Sequence, residues 1–299
     1  MKAYVNGKLV ELDAAVLSAH DAAVQHGVGL FETMQAFNGV VFALDAHIER
    51  LVQSAQQTGL TDQLHPKPLA ELVNHTVEAN GLVEARVRLT VTGGDLSLLG
   101  QARAGGGSSK HTPSIVCVVS EPTQYPPAFF EAGVRVVIAD PKANPFDPLA
   151  GHKTLNYWMR LRTLADAAAR QAGEALWFGV TNHLAGGAVS NAFVVKDQQL
   201  LTPIARGEEP EAGLPAPVLP GITRAAVIEC ADAADIPVHR RMLTISDVLE
   251  ADELFLTNSS WQVLPVVKVE KEAIGEGEVG PVTQRLREAL LATIERETS

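Results

Sequence analysis

Cysteine is nearly absent from this chain: two in 299 residues, Cys117 in "SIVCVV" and Cys230 in "AAVIECADAAD". Both sit in segments of apolar periodicity, so two reduced core thiols are expected, not a disulfide or a metal pair, and no metal site is anticipated. Basic runs are missing too. No Lys/Arg run exceeds Arg240-Arg241, and the formal net charge is -11. That balance argues against a nucleic-acid or anionic-membrane footprint, although a local basic pocket could still hold one phosphate. No apolar run approaches the roughly 18 residues that span a bilayer. The start, "MKAYVNGKLVEL", carries charge and glycine where a signal peptide has its apolar region. These absences fit a cytoplasmic protein. What is present is a hydrophobic content of 46% against 20% charged, the balance of a globular chain. The length suits one large domain or two ordinary ones.

Two Asn-Gly pairs, Asn6-Gly7 and Asn38-Gly39, each between strand-like runs, predict two hairpins. A helix is expected from an Asp45 N-cap to Gly59, with Ile48, Leu51 and Val52 at helical spacing, and a second one ends at Asn80-Gly81. "ARVRLTVTGG" and "PSIVCVVSE" read as strands of the same sheet. Between them "LSLLGQARAGGGSSKHT" reads as a lid or a disordered loop. Pro122, Pro126 and Pro127 mark a linker at 120–128, dividing an N-terminal α/β domain, 1–119, from a C-terminal one, 129–299. The second domain mixes strands ("GVRVVIAD", "EALWFGV", "AFVVKDQQLLTP") with helices ("NYWMRLRTLADAAARQAG", "GITRAAVIECADAADI"). A mixed α/β or α+β architecture fits better than repeating βαβ units.

Taken singly, the polar candidates are ambiguous. Lys153 in "GHKTLNYW" reads either as an exposed lysine or as a desolvated amine able to form a Schiff base. Pro220-Gly221 precedes a helix whose first amides, from Ile222 and Thr223, either cap an ordinary turn or bind an anion. Asn258-Ser259-Ser260 ends an apolar strand as a turn or as a polar site. Arg50 lies on a helix with an apolar face and is either exposed or turned inward toward a phosphate.

Their order is more informative. "HGVGLFETMQAFNGVVFALDAHIERLVQSA", "HKTLNYW", "SNAFVVKDQQLLTP", "LPGITRAAVIE" and "ADELFLTNSSWQVLPV" together resemble the class IV aminotransferase family over nearly the whole chain. This is the fold-type IV group of pyridoxal 5′-phosphate enzymes, with branched-chain aminotransferases, D-amino-acid aminotransferases and 4-amino-4-deoxychorismate lyases. The resemblance implies a two-domain fold with the cofactor in the interdomain cleft, and a homodimer. It implies Lys153 as the catalytic Schiff-base lysine and proton shuttle. Arg50, the Gly221-Ile222-Thr223 turn and Ser259 would hold the phosphate. Leu219 would pack on the pyridine ring, with Asn156 and Tyr157 near its hydroxyl. Phe31, Thr33, Arg88 and Ser260 would line the substrate pocket. The implied activity is amino transfer between a branched-chain-like or D-amino acid and a 2-keto acid. The alternatives are an aminodeoxychorismate-type lyase that releases pyruvate, and a cofactor-binding relative of low turnover.

Three positions depart from the family pattern. Five residues before Asn191 the family carries an acid that holds a proton on the pyridine nitrogen. Here Gly186 stands in its place, and the nearest acids, Glu174 and Asp197, are expected on neighbouring strands and not at this turn. Gly93 replaces an arginine and Val28 a common aspartate. Arg88, with Arg86 on the same strand face, then reads either as the candidate for a substrate carboxylate or as part of a solvent-facing arginine row. On this reading Gly186→Glu would raise turnover.

Overall fold

The computed structural model describes residues 1–95 and 112–299, so the glycine-rich lid candidate lies outside the described residues. The chain divides into two compact units: Met1–Thr123 with His152–Asn156 and Thr298–Ser299, and Gln124–Gly151 with Tyr157–Glu297.

The first unit is an antiparallel sheet of β1 (Lys2–Val5), β2 (Lys8–Glu11), β3 (Gly29–Phe37), β4 (Val40–Val41), β5 (Ala85–Thr92) and β6 (Ile115–Ser120), in the order β2-β1-β6-β5-β3-β4. Both expected hairpins form. Asn6 and Gly7 adopt φ of 46° and 92°, and Asn38 and Gly39 adopt 51° and 77°, the paired positive values of a type I′ turn. Short α1 (Ala22–His26) is followed by α2 (Leu44–Gln57) and α3 (Pro66–Glu78), which cover one sheet face. The core there joins Met34, Val87, Leu89 and Cys117 to Ile48, Leu51, Leu72 and Val73. Helix α2 begins one residue before the expected cap. Ala43, at φ 51°, turns the chain out of the hairpin, and Asp45 lies in the first turn, where its charge still favours the helix dipole. The opposite face alternates Phe31, Thr33 and Gln35 with Thr90, Arg88 and Arg86 at matching register.

The segment 152–156 joins this unit as an extra run along β3. Phe31 donates its amide to the Lys153 carbonyl (2.9 Å), and Leu155 donates to Gly29 (2.9 Å). The approach requires glycine at 29, where a Cβ would stand 2.6 Å from the Val91 carbonyl.

The second unit opens with α4 (Ala128–Glu131) and β7 (Val134–Ala143), then α5 (Trp158–Ala169), β8 (Glu174–Gly179), β9 (Leu184–Gly187), β10 (Asn191–Lys196) and β11 (Gln199–Thr202). It continues with α6 (Ile222–Ala233), β12 (Val238–Arg240), α7 (Ile245–Leu249), β13 (Glu253–Asn258), β14 (Gln262–Val269), β15 (Glu272–Ala273) and α8 (Pro281–Glu297). The strands form one mixed sheet ordered β12-β11-β10-β13-β14-β7-β8-β9, with β15 on β14. Pairing is parallel at β11–β12, β14–β7 and β7–β8. Leu176, Val194, Leu254, Leu256 and Leu264 form its main core, and Ala175, Trp177 and Ala188 a second one with Ala167 of α5. Both cysteines are free and buried, and burial pushes the Cys117 thiol up to about 12. Among the described residues no helix is long and apolar enough to cross a membrane.

Candidate active site

Strand β3 sends alternate side chains to opposite faces, and charged groups gather on both. On the helix-covered face the Glu32 carboxylate is 1% exposed. It accepts from Arg50 Nε (2.8 Å) and Nη2 (2.5 Å), and from His47 Nδ1 (2.8 Å). Burial works against its charge, but Arg50 and His47 outweigh that and hold Glu32 down at about 2. Burial pushes the His47 ring down against the pull of Glu32, and the charges of Arg50 and Lys153 add to that push. The ring is therefore neutral, with Nδ1–H given to the carboxylate. Arg50 does turn inward, but it arrives with an ion-pair partner.

On the other face Phe31 is buried and meets two cationic side chains. The Arg88 guanidinium carbon lies 3.4 Å from its ring centroid, and Lys153 Nζ lies 4.5 Å away. Thr33 stands directly opposite Arg88 in the ladder. Of the expected residues in this unit, Phe31, Thr33, Arg88 and Lys153 come together, Arg50 lies on the reverse of the strand, and Asn156 is exposed.

In the second unit, α6 starts at Gly221, and no side chain caps it. Asn191 Nδ2 donates to the Leu219 carbonyl (2.8 Å), which ties this turn to β10. A Cβ on Gly221 would overlap Asn191 Oδ1, so only glycine lets the turn and the strand approach this closely. Thr223 is buried in the first turn. Tyr157 is half-buried beneath Arg160, whose guanidinium carbon lies 5.8 Å from its ring centroid. Asn258 Oδ1 accepts from the amides of Ser260 (2.8 Å) and Trp261 (3.0 Å), and its amide group reaches the Val189 carbonyl at 3.4 Å. The 258–260 turn holding Ser259 and Ser260 is thereby joined to the loop 187–190. The neighbouring Thr257 Oγ1 is buried without a partner. An uncapped helix start, a cradle open only to glycine and an orphaned buried hydroxyl fit a phosphate.

Two expectations at Gly186 need correction. Its φ is +117°, and a Cβ would stand 2.7 Å from the Ser190 carbonyl. Gly186→Glu is thus a strained substitution and does not simply restore an acid. Glu174, expected away from this turn, belongs to β8 but sends its carboxylate into the loop, accepting from Val189 N (3.2 Å) and Ser190 Oγ (3.1 Å). Asp197 lies at an exposed turn, its amide bonded to Asp252. The sequence reading also passed over the buried Arg224, paired at 2.8 Å with Glu208. A basic residue one turn into an apolar helix face was its only signal.

A family model described as amino-transferase class IV matches residues 29–269. The chain belongs to that family. Class IV aminotransferases are pyridoxal-phosphate enzymes, and the ordered motifs and the cofactor they implied are the family's own. This class IV aminotransferase is 34% identical over 293 residues to a putative branched-chain-amino-acid aminotransferase of Methanocaldococcus jannaschii, covering 96% of this chain and 94% of that protein. It is 28% identical over 301 residues to a D-alanine aminotransferase of Bacillus licheniformis, covering 100% and 99%. Among solved structures it is similar to the branched-chain amino acid aminotransferase of Escherichia coli, with a TM-score of 0.88 at 25% identity over 100% of this chain and 96% of that one.

Proposed function

We propose that this enzyme moves an amino group between a small amino acid, branched-chain or D-configured, and a 2-keto acid. The observation that carries the reading is the convergence of Lys153 and Arg88 on the Phe31 ring, which sets a basic amine beside a guanidinium suited to a carboxylate. The names of the relatives from M. jannaschii and B. licheniformis support it.

Pyridoxal phosphate, when bound, supplies the electron sink for the α-carbon. Lys153 is the residue that would carry it, and its Nζ would take and return the proton. The first-turn amides of α6, Thr223, Ser259 and Arg50 would hold its phosphate. Since Glu32 already offsets Arg50, the helix amides must supply much of the attraction. Leu219 would pack on the ring, and Tyr157 and Asn156 would serve its hydroxyl edge. Arg88, with Thr33, Phe31 and Ser260, would orient the substrate.

The working form is a homodimer in the cytoplasm. Phe146 at 72% exposure, Trp158 at 71% and Leu161 at 52% leave an apolar surface before and along α5 that a second copy would cover. The test is a panel of L- and D-amino acids added to the cofactor-loaded protein, with pyridoxamine phosphate formation followed spectroscopically. Conversion by branched-chain L-amino acids or by D-alanine is expected. No conversion by any of them, or pyruvate release from aminodeoxychorismate with no keto-acid requirement, overturns the reading.

A further inference from the structure

Strand β9 lacks the acid expected at 186, yet a buried carboxylate and a half-buried guanidinium are both held against the loop that follows it. Glu174 is fully buried, and four donors fill its oxygens. Oε1 accepts from the amides of Ala175 (2.9 Å) and Ala188 (3.3 Å). Oε2 accepts from Val189 N (3.2 Å) and Ser190 Oγ (3.1 Å). Three of these four donors belong to the loop. Its carbonyls are gripped separately. Arg160, on α5, donates from Nη1 to the Ala188 carbonyl at 2.6 Å and toward Gly187 at 3.5 Å. The guanidinium is held over Trp177, 5.1 Å from the ring centroid. Gly187 is part of the fit, since a Cβ there would overlap Ser190 Oγ and lie 3.0 Å from Glu174 Oε2.

We infer that Glu174 and Arg160 are positioning residues that clamp the 187–190 loop through its amides and its carbonyls, and that Glu174, committed to those donors, leaves the cofactor's pyridine nitrogen without a carboxylate partner. A carboxylate oxygen accepts about two hydrogen bonds. Turning either oxygen of Glu174 toward a ring nitrogen would strand buried loop donors, at a cost that one new bond does not clearly offset. Burial pushes this carboxyl up to about 7, with the same donors pulling against that rise. Gly186, at the position where the family's acid stands, has no side chain to contribute.

The inference rests on the cofactor reading above, and the experiment separates the two. Apo-protein is titrated with pyridoxal phosphate and with its 1-deaza analogue, in which C–H replaces the ring nitrogen. The same titrations are run on Glu174→Gln, and amide exchange of residues 187–190 is measured without cofactor. Wild type is expected to bind the two compounds within about threefold, whereas a charged pair at the nitrogen would cost the analogue about tenfold or more. Glu174→Gln should weaken both compounds equally and speed exchange of the Ala188 and Val189 amides by about tenfold or more. A large wild-type preference for pyridoxal phosphate overturns the inference. If that preference collapses in Glu174→Gln, Glu174 is itself the nitrogen's acid; if it persists, another group is. Unchanged exchange and binding in Glu174→Gln would overturn the clamp. Should that variant not fold, Arg160→Met, on a half-buried helix face, is read by the same criteria. If wild type binds neither compound, the cofactor reading fails, while the exchange measurement still judges the clamp.

Discussion

Glu32→Gln removes one charge from the buried Glu32–His47–Arg50 network and leaves its shape nearly intact. The carboxylate is held at about 2 against an ordinary 4.5. At about 1.4 kcal/mol per pH unit, that depression is worth about 3 kcal/mol near neutrality. Breaking a buried ion pair from one side gives a similar figure, about 3–5 kcal/mol, because the Arg50 charge is left behind. The sign follows from a lowered acid: the contribution is fully present above about pH 4.5 and is lost as pH falls toward about 2. Amide exchange of β3 and α2 reports the opening of this unit alone. The variant should show protection lower by about 3 kcal/mol near pH 7, with the gap to wild type narrowing steadily below about pH 4.5. A gap under about 1 kcal/mol near neutrality, or one independent of pH, would refute the electrostatic account of this network.

Gly221→Ala should break the Asn191–Leu219 bond, because the new methyl must displace Asn191 Oδ1. We expect a stability loss of about 1–3 kcal/mol and a pyridoxal phosphate Kd raised about tenfold or more, measured by denaturation and by absorbance titration. Phe146→Asp and Trp158→Asp place charges on the exposed apolar surface near α5. In the proposed homodimer each should shift sedimentation from dimer to monomer without unfolding either unit; dimers of unchanged affinity would place the interface elsewhere.

Much of the framework could be read locally. Asn-Gly fixes a hairpin because both residues must take positive φ, and Pro220-Gly221 announces a helix start because its first amides lack partners. The features that escaped the sequence are those set by register. Glu32 meets Arg50 and His47 only because β3 and α2 are packed with those faces together, 18 and 15 residues apart. Glu174 looked remote from Gly186 by spacing, and only the β8–β9 pairing, with Leu176 opposite Gly187, brings its carboxylate into the loop. The departure at Gly186 was visible as a missing acid. Its backbone, at φ +117°, was not, and it is the backbone that makes restoring an acid there costly.

The most direct measurement is the visible spectrum of protein incubated with pyridoxal phosphate and dialysed. The account predicts a band that survives dialysis in wild type and is absent from Lys153→Ala, with the fold unchanged by circular dichroism. A colourless wild type, or a band that persists without Lys153, would contradict it.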